Sequence, residues 1–148
     1  MTEFRPRFFT SDAEMEHLGE GLLTCTLKRE EWTHEAHLAA TTYLLLRRPD
    51  LDLDKELAGI IRRFNESVGG VNSDAEGYHE TITRAFLHGV RRFLSEADSK
   101  EPLHELVNAL LMSPRGRRNW PLRFYSRERL FSVEARRRFV QPDVAALP

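Results

Sequence analysis

AEGYHETITRAFLHGVRRFLSEA, residues 75–97, carries the clearest periodic signal in the chain. At about 100° per residue with Tyr78 as zero, Gly89, Ile82, Phe93, Phe86, Val90, Leu94 and Leu87 share an arc of about 180°. Such an arc is the apolar face of a helix packed on a core. His79 falls near the middle of it, at about 100°, and is expected to point inward. Glu80 lies at its edge, and His88 lies on the opposite, solvated side.

Working outward, helical signals recur on both sides. Gly69-Gly70 and the polar run Val71-Asn72-Ser73-Asp74 separate this helix from a preceding one, roughly Leu53 to Val68, with Leu57, Ile60, Ile61 and Phe64 on one face. Pro49-Asp50 reads as the turn before it. Thr33 is the expected N-cap of a helix from His34 to about Arg48. Ser11-Asp12 opens the first helix, which Gly19 and Gly21 are expected to weaken. On the C-terminal side, Pro102 starts a helix carrying Leu103, Leu106, Val107, Leu110 and Leu111. Beyond Ser113-Pro114 the period is lost, a short helix is expected from Ser132 to Val140, and Pro142 begins a tail. No stretch alternates with period 2. The expected fold is an all-α, single-domain bundle of about five helices spanning 1–148, with an irregular basic-aromatic segment, 113–148, packed on it.

Bulk properties agree with this. The 148 residues, 41% hydrophobic and 30% charged, suit one ordinary globular domain. No apolar run approaches the roughly 20 residues that span a bilayer. The opening stretch, Met1 to Pro6, lacks the apolar core of a signal peptide. With Cys25 as the sole cysteine, no internal disulfide forms, and a cytoplasmic setting is expected. The net charge of −1 conceals an asymmetry, because residues 113–140 hold nine Arg against Glu128 and Glu134. Arginine forks suit carboxylates and phosphates. The alternative is that they pair with the protein's own acidic body.

The histidines are the candidate site. On the second helix His34 and His37 are one turn apart on a single side, among Leu38, Leu44 and Leu45. Together with an inward His79 they would supply three imidazoles to a divalent metal ion (Zn, Fe, Ni or Cu), leaving open positions for water or substrate. Glu80 would then assist as a general base or orient a ligand. Ordinary hydrogen-bonded core histidines are the competing reading. Glu31 with His34 and Glu76 with His79 repeat the Glu-x-x-His spacing of di-iron bundles, but Glu31 precedes the Thr33 cap and no further buried Glu stands out.

In the C-terminal segment arginines interleave with Trp120, Phe124, Tyr125 and Phe131. Read as a lid over the bundle, it makes Arg123, Tyr125 and Arg129 the candidate contacts to a small anionic ligand. The segment lacks both the aromatic pattern of RNA-binding sheets and a helix-turn-helix cue. The functional expectation is a small metal-dependent enzyme acting on an anionic small molecule. The alternative is a binding or regulatory module that presents the Arg-rich segment to an acidic partner or nucleic acid, with the histidines in the core. A surplus apolar face on the first or fifth helix would suit a homodimer.

Trp32-Thr33-His34-Glu35-Ala36-His37-Leu38, Gly77-Tyr78-His79-Glu80-Thr81 and Tyr125-Ser126-Arg127-Glu128-Arg129-Leu130-Phe131-Ser132, followed by Pro142-Asp143, resemble segments of a group of small uncharacterised bacterial helical proteins. The resemblance covers most of the chain in order. It implies that these segments belong to one protein type and brings no activity or cofactor.

Overall fold

A computed structural model describes residues 8–98 and 100–148. The expected features of Met1 to Pro6 lie outside these described residues. Five helices of ten or more residues form the body: α1 (Asp12–Thr24), α2 (His34–Arg47), α3 (Leu53–Ser67), α4 (Glu80–Glu96) and α5 (Leu103–Met112). Two short ones, α6 (Arg127–Leu130) and α7 (Val133–Arg137), punctuate the C-terminal segment. No strand occurs among the described residues, and none of the helices is long and apolar enough to cross a membrane. The chain is an all-α small domain.

Helix α2 is central and touches α1, α4 and α5. Met15, Leu22, Leu38, Leu44, Phe64, Val107 and Leu110 form the heart of the main core. A smaller core of Tyr125, Leu130, Ala135 and Val140 lies under the C-terminal segment, with Ile82 of α4 packed against it.

Caps fix the helix starts. Ser11, Thr33, Ser126 and Ser132 each accept a backbone N–H three residues on, opening α1, α2, α6 and α7. Gly19 does not shorten α1. A Cβ there would lie 2.1 Å from Tyr43 Cδ1, so the glycine lets α2 approach.

Helix α4 starts later than its sequence period predicts. Residues 75–79 are not helical, because local polar groups offer their backbone better partners. Asn72 Oδ1 accepts from Tyr78 N–H at 3.0 Å, Ser73 N–H donates to the Glu76 carbonyl at 2.8 Å, and Gly77 takes φ +84°. His79 becomes the N-cap, its Nδ1 accepting from Ile82 N–H at 3.1 Å.

The irregular C-terminal segment is bound to α4 by side chains near that helix's start. Fully buried Thr81 donates its hydroxyl to the Arg138 carbonyl at 2.9 Å and accepts from Val140 N–H at 3.2 Å. Tyr125 OH donates to the Val140 carbonyl at 2.7 Å, and Asp143 accepts from both the backbone N–H and the hydroxyl of Ser126.

Two glycines on helices separate packing from propensity. Gly19→Ala is expected to lower stability by about 1–3 kcal/mol, because Tyr43 is buried and its hydroxyl is tied to Glu20. Gly59→Ala, where only the flexible tip of Arg63 lies near, should raise it by up to about 1 kcal/mol. Urea unfolding of the two variants checks the opposite signs.

Candidate functional site: a histidine-lined cleft with an arginine rim

His34 and His37 both stand on the first turns of α2, partly buried, as the spacing predicts. His37 Nδ1–H donates to the Thr33 carbonyl at 2.7 Å, which fixes the neutral tautomer and leaves the Nε2 lone pair free. Trp32 lies against this imidazole, with ring centroids 3.8 Å apart. Residue 32 precedes the cap and residue 37 is the fourth of the helix, so the pair occupies the positions of a hydrophobic staple. Burial pushes the His37 pKa down to about 4, helped by the charge of Arg118. Nε2 makes no hydrogen bond among the described residues.

His34 has a different task. Its Nε2–H donates to the Gly116 carbonyl at 2.8 Å, pinning the loop that carries Arg117 and Arg118. Gly116 is buried there, and a Cβ would fall 2.2 Å from the Leu110 carbonyl oxygen. Phe86 packs edge-on against the ring, and burial holds the His34 pKa below its ordinary value.

His79 is buried, as expected, but through its cap position rather than through a helix face. Its Nε2–H donates to the Leu130 carbonyl at 2.8 Å while Nδ1 accepts the Ile82 N–H. Both ring nitrogens are therefore occupied. The expected three-histidine metal site does not fit this arrangement, since a ligating imidazole needs a free nitrogen lone pair. Among the described residues no group of three or more His, Cys, Asp or Glu side chains is placed to hold a metal ion.

Glu80 also faces elsewhere. Its Oε1 accepts from Tyr78 OH at 2.5 Å and its Oε2 lies 3.6 Å from Arg84 Nε. Burial and this carboxylate push the Tyr78 phenol pKa well up. The other histidines serve the surface. His17 pairs with Glu31, His104 with Asp12, and His88 contacts the Pro148 carbonyl.

The histidines border a two-lobed cleft. Both lobes are lined by Trp32, His37, Ile61, Ile82 and Thr83. The first lobe, about 530 Å³, adds His34, Phe86, Arg118, Leu130 and Phe131. The second, about 520 Å³, adds Asn65, Glu76, Tyr78 and His79. His37 thus touches both, whereas His34 and His79 each touch one. The indole N–H of Trp32 is buried without a hydrogen-bond partner. A buried polar atom left unpaired in a native fold is uncommon and costs about 1–3 kcal/mol.

Next to the first lobe, and sharing Arg118, Leu122 and Phe131 with it, lies a hollow of about 590 Å³ that Arg117, Asn119 and Arg127 complete. The Arg127 guanidinium sits 5.4 Å from the Phe131 ring centre. None of Arg117, Arg118 and Arg127 pairs with a carboxylate among the described residues. Other arginines of the segment do turn to the protein itself. Arg115 pairs with Glu96, Arg137 with Asp74 and Arg138 with Glu134, and Arg136 donates to the Gly77 carbonyl.

The three side chains assigned from sequence to an anionic ligand sit outside this lining. Tyr125 is 1% exposed, with its hydroxyl committed to Val140. Arg129 Nε donates to the Gln141 carbonyl at 2.6 Å, and Arg123 is exposed away from the cleft. The basic lining comes instead from Arg117, Arg118 and Arg127. Trp32 was the one further cleft residue with a readable signal, its staple position before the cap.

Mild acid should destabilise this protein through its imidazoles, before the ion-paired carboxylates are protonated. His34, His37 and His79 all have folded pKa values below the ordinary 6.5. The unfolded chain therefore takes up their protons first. The stability these imidazoles contribute is fully present above about pH 6.5 and is lost as pH drops toward about 4, the value to which His37 is pushed. The urea midpoint should decline across that window, and less steeply in His37→Gln. An unchanged slope in that variant would show that His37 is not a source of the acid sensitivity.

Comparison of the chain with family models, with curated proteins and with solved structures finds no match.

Proposed function

We propose that the protein binds a small organic anion, with the anionic group at Arg117, Arg118 and Arg127 and an apolar or aromatic body in the adjoining lobe beside His37. One observation carries this reading. Arginines without carboxylate partners line a concavity that opens into a cleft holding unpaired polar atoms. Guanidinium groups left unpaired at a concave site favour an incoming anion, which gains charge-assisted hydrogen bonds there. Their concave setting also favours a small ligand over the flat contact that an acidic protein partner would make.

His37 acts in this reading as a hydrogen-bond acceptor. An imidazole with a pKa of about 4 stays neutral at pH 7 and takes protons weakly. Metal chemistry has no part in the proposal, because the described side chains provide no three-donor set. Glu80, turned to Tyr78 and Arg84, has none either.

Tryptophan fluorescence offers a direct test, since the chain's two indoles, Trp32 and Trp120, are both close to the cleft wall. Titration with phenyl phosphate should change the emission saturably. Arg118→Ala should weaken that response at least tenfold, the range of about 1.5–3 kcal/mol for a hydrogen bond to a charged group. An emission unaltered by phenyl phosphate and by benzoate up to solubility would overturn the proposal.

A further inference from the structure

Resting on the anion-binding reading above, we infer that the ligand is a nucleoside phosphate: a flat heterocycle with an N–H beside an acceptor, joined to a phosphoryl group held by Arg117, Arg118 and Arg127. Three features set those requirements independently.

Charge comes first. Three arginines line one hollow without carboxylate partners among the described residues. A lone carboxylate would compensate little of that charge. A phosphoryl group, carrying about −1.5 to −2 at neutral pH with three acceptor oxygens, matches it, and guanidinium forks grip phosphate in bidentate fashion.

Shape comes second. From this hollow the first lobe runs between Phe131, Phe86 and Trp32, over Ile82 and Leu130. Aromatic and branched walls of this kind accept a planar ring, and its volume of about 530 Å³ lies within the range of small-molecule sites. The loop of Gly116 and the Leu130 turn are held beside the lobe by His34 and His79.

Hydrogen bonding comes third. With Nδ1–H committed to the Thr33 carbonyl, His37 offers only an acceptor to the cleft, so the ligand must bring a donor. Trp32, whose ring lies against this imidazole, has an Nε1–H that lacks an acceptor. That atom is buried, so binding of this kind requires the indole to turn and present it to the ligand. A donor and an acceptor side by side are what the Watson–Crick edge of each nucleobase presents, and proteins read a single base through that edge and through aromatic stacking. A sugar phosphate lacks the ring, and a phenyl phosphate lacks the polar edge.

Isothermal titration of the full chain separates these terms, using uridine and adenosine monophosphates, ribose 5-phosphate, phenyl phosphate and benzoate as probes. At least one nucleotide should bind tenfold or more tighter than both ribose 5-phosphate and phenyl phosphate. Arg127→Ala should weaken all three phosphate classes together. Trp32→Phe, which keeps a ring but removes the N–H, and His37→Gln should erase the nucleotide's advantage while leaving phenyl phosphate binding within about twofold. Urea midpoints for each variant establish that it is folded. Nucleotides no tighter than phenyl phosphate, with Arg118 dependence retained, would overturn this inference and leave the anion-binding reading standing. Absence of binding by every probe would overturn both. An oligonucleotide binding far tighter than either monophosphate, with a steep salt dependence, would replace the small ligand with a nucleic acid and overturn it as well.

Discussion

The last quarter of the fold depends on finding partners for the carbonyls of a segment that has little regular structure of its own. Backbone polar groups that leave water must be paired, and an irregular chain cannot pair them along itself. Here the partners come from side chains at the starts of two helices. His34 at the start of α2 takes the Gly116 carbonyl, and His79 and Thr81 at the start of α4 take those of Leu130 and Arg138. Helix starts are suited to this, because side chains on a helix lean toward its N-terminus and so reach chain lying beyond that end. Two of the three histidines that look like metal ligands in the sequence are thus structural donors, and the cleft exists because they hold its far wall in place.

The same arrangement sets the electrostatics. Burial keeps the imidazoles neutral, and Arg118 reinforces this by adding positive charge nearby. The inner part of the first lobe therefore carries no charged side chain, while its rim is cationic at Arg118. On the proposed reading a ligand would meet the two in sequence: long-range attraction at the arginines, then desolvation and hydrogen bonding at His37. Arg115, Arg137 and Arg138 are neutralised by Glu96, Asp74 and Glu134, which lowers the positive charge on those parts of the segment.

Fold class was legible because a 3.6-residue period is a global property of each long helix and survives errors at its ends. Thr33, Ser11 and Ser132 were legible as caps for the same local reason. The start of α4 was not. The period extends smoothly to Tyr78, and nothing in it records that Asn72, six residues earlier, would claim the Tyr78 N–H. His79 was correctly placed inside, but its function as a cap with both nitrogens engaged depends on Leu130, 51 residues away. The rim arginines were beyond reach for a related reason. Short 3₁₀ turns at 114–116 and 120–123 carry too few residues to define a face, so Arg118 and Arg123 look equivalent on paper and are separated only by packing.

The His34–Gly116 and His79–Leu130 bonds also join stretches of chain that are far apart in sequence. During synthesis α1 to α5 can form their core while residues 113–148 are still absent, since Met15, Leu38, Phe64 and Val107 all precede that point. At that stage both imidazoles lack their carbonyl acceptors, and one side of the His37 lobe is open to water. The cleft wall contributed by the C-terminal segment is therefore complete only once residues 113–148 dock on the helices. Any ligand held there would act as a clasp on the C-terminal segment, favouring its docked state over its release.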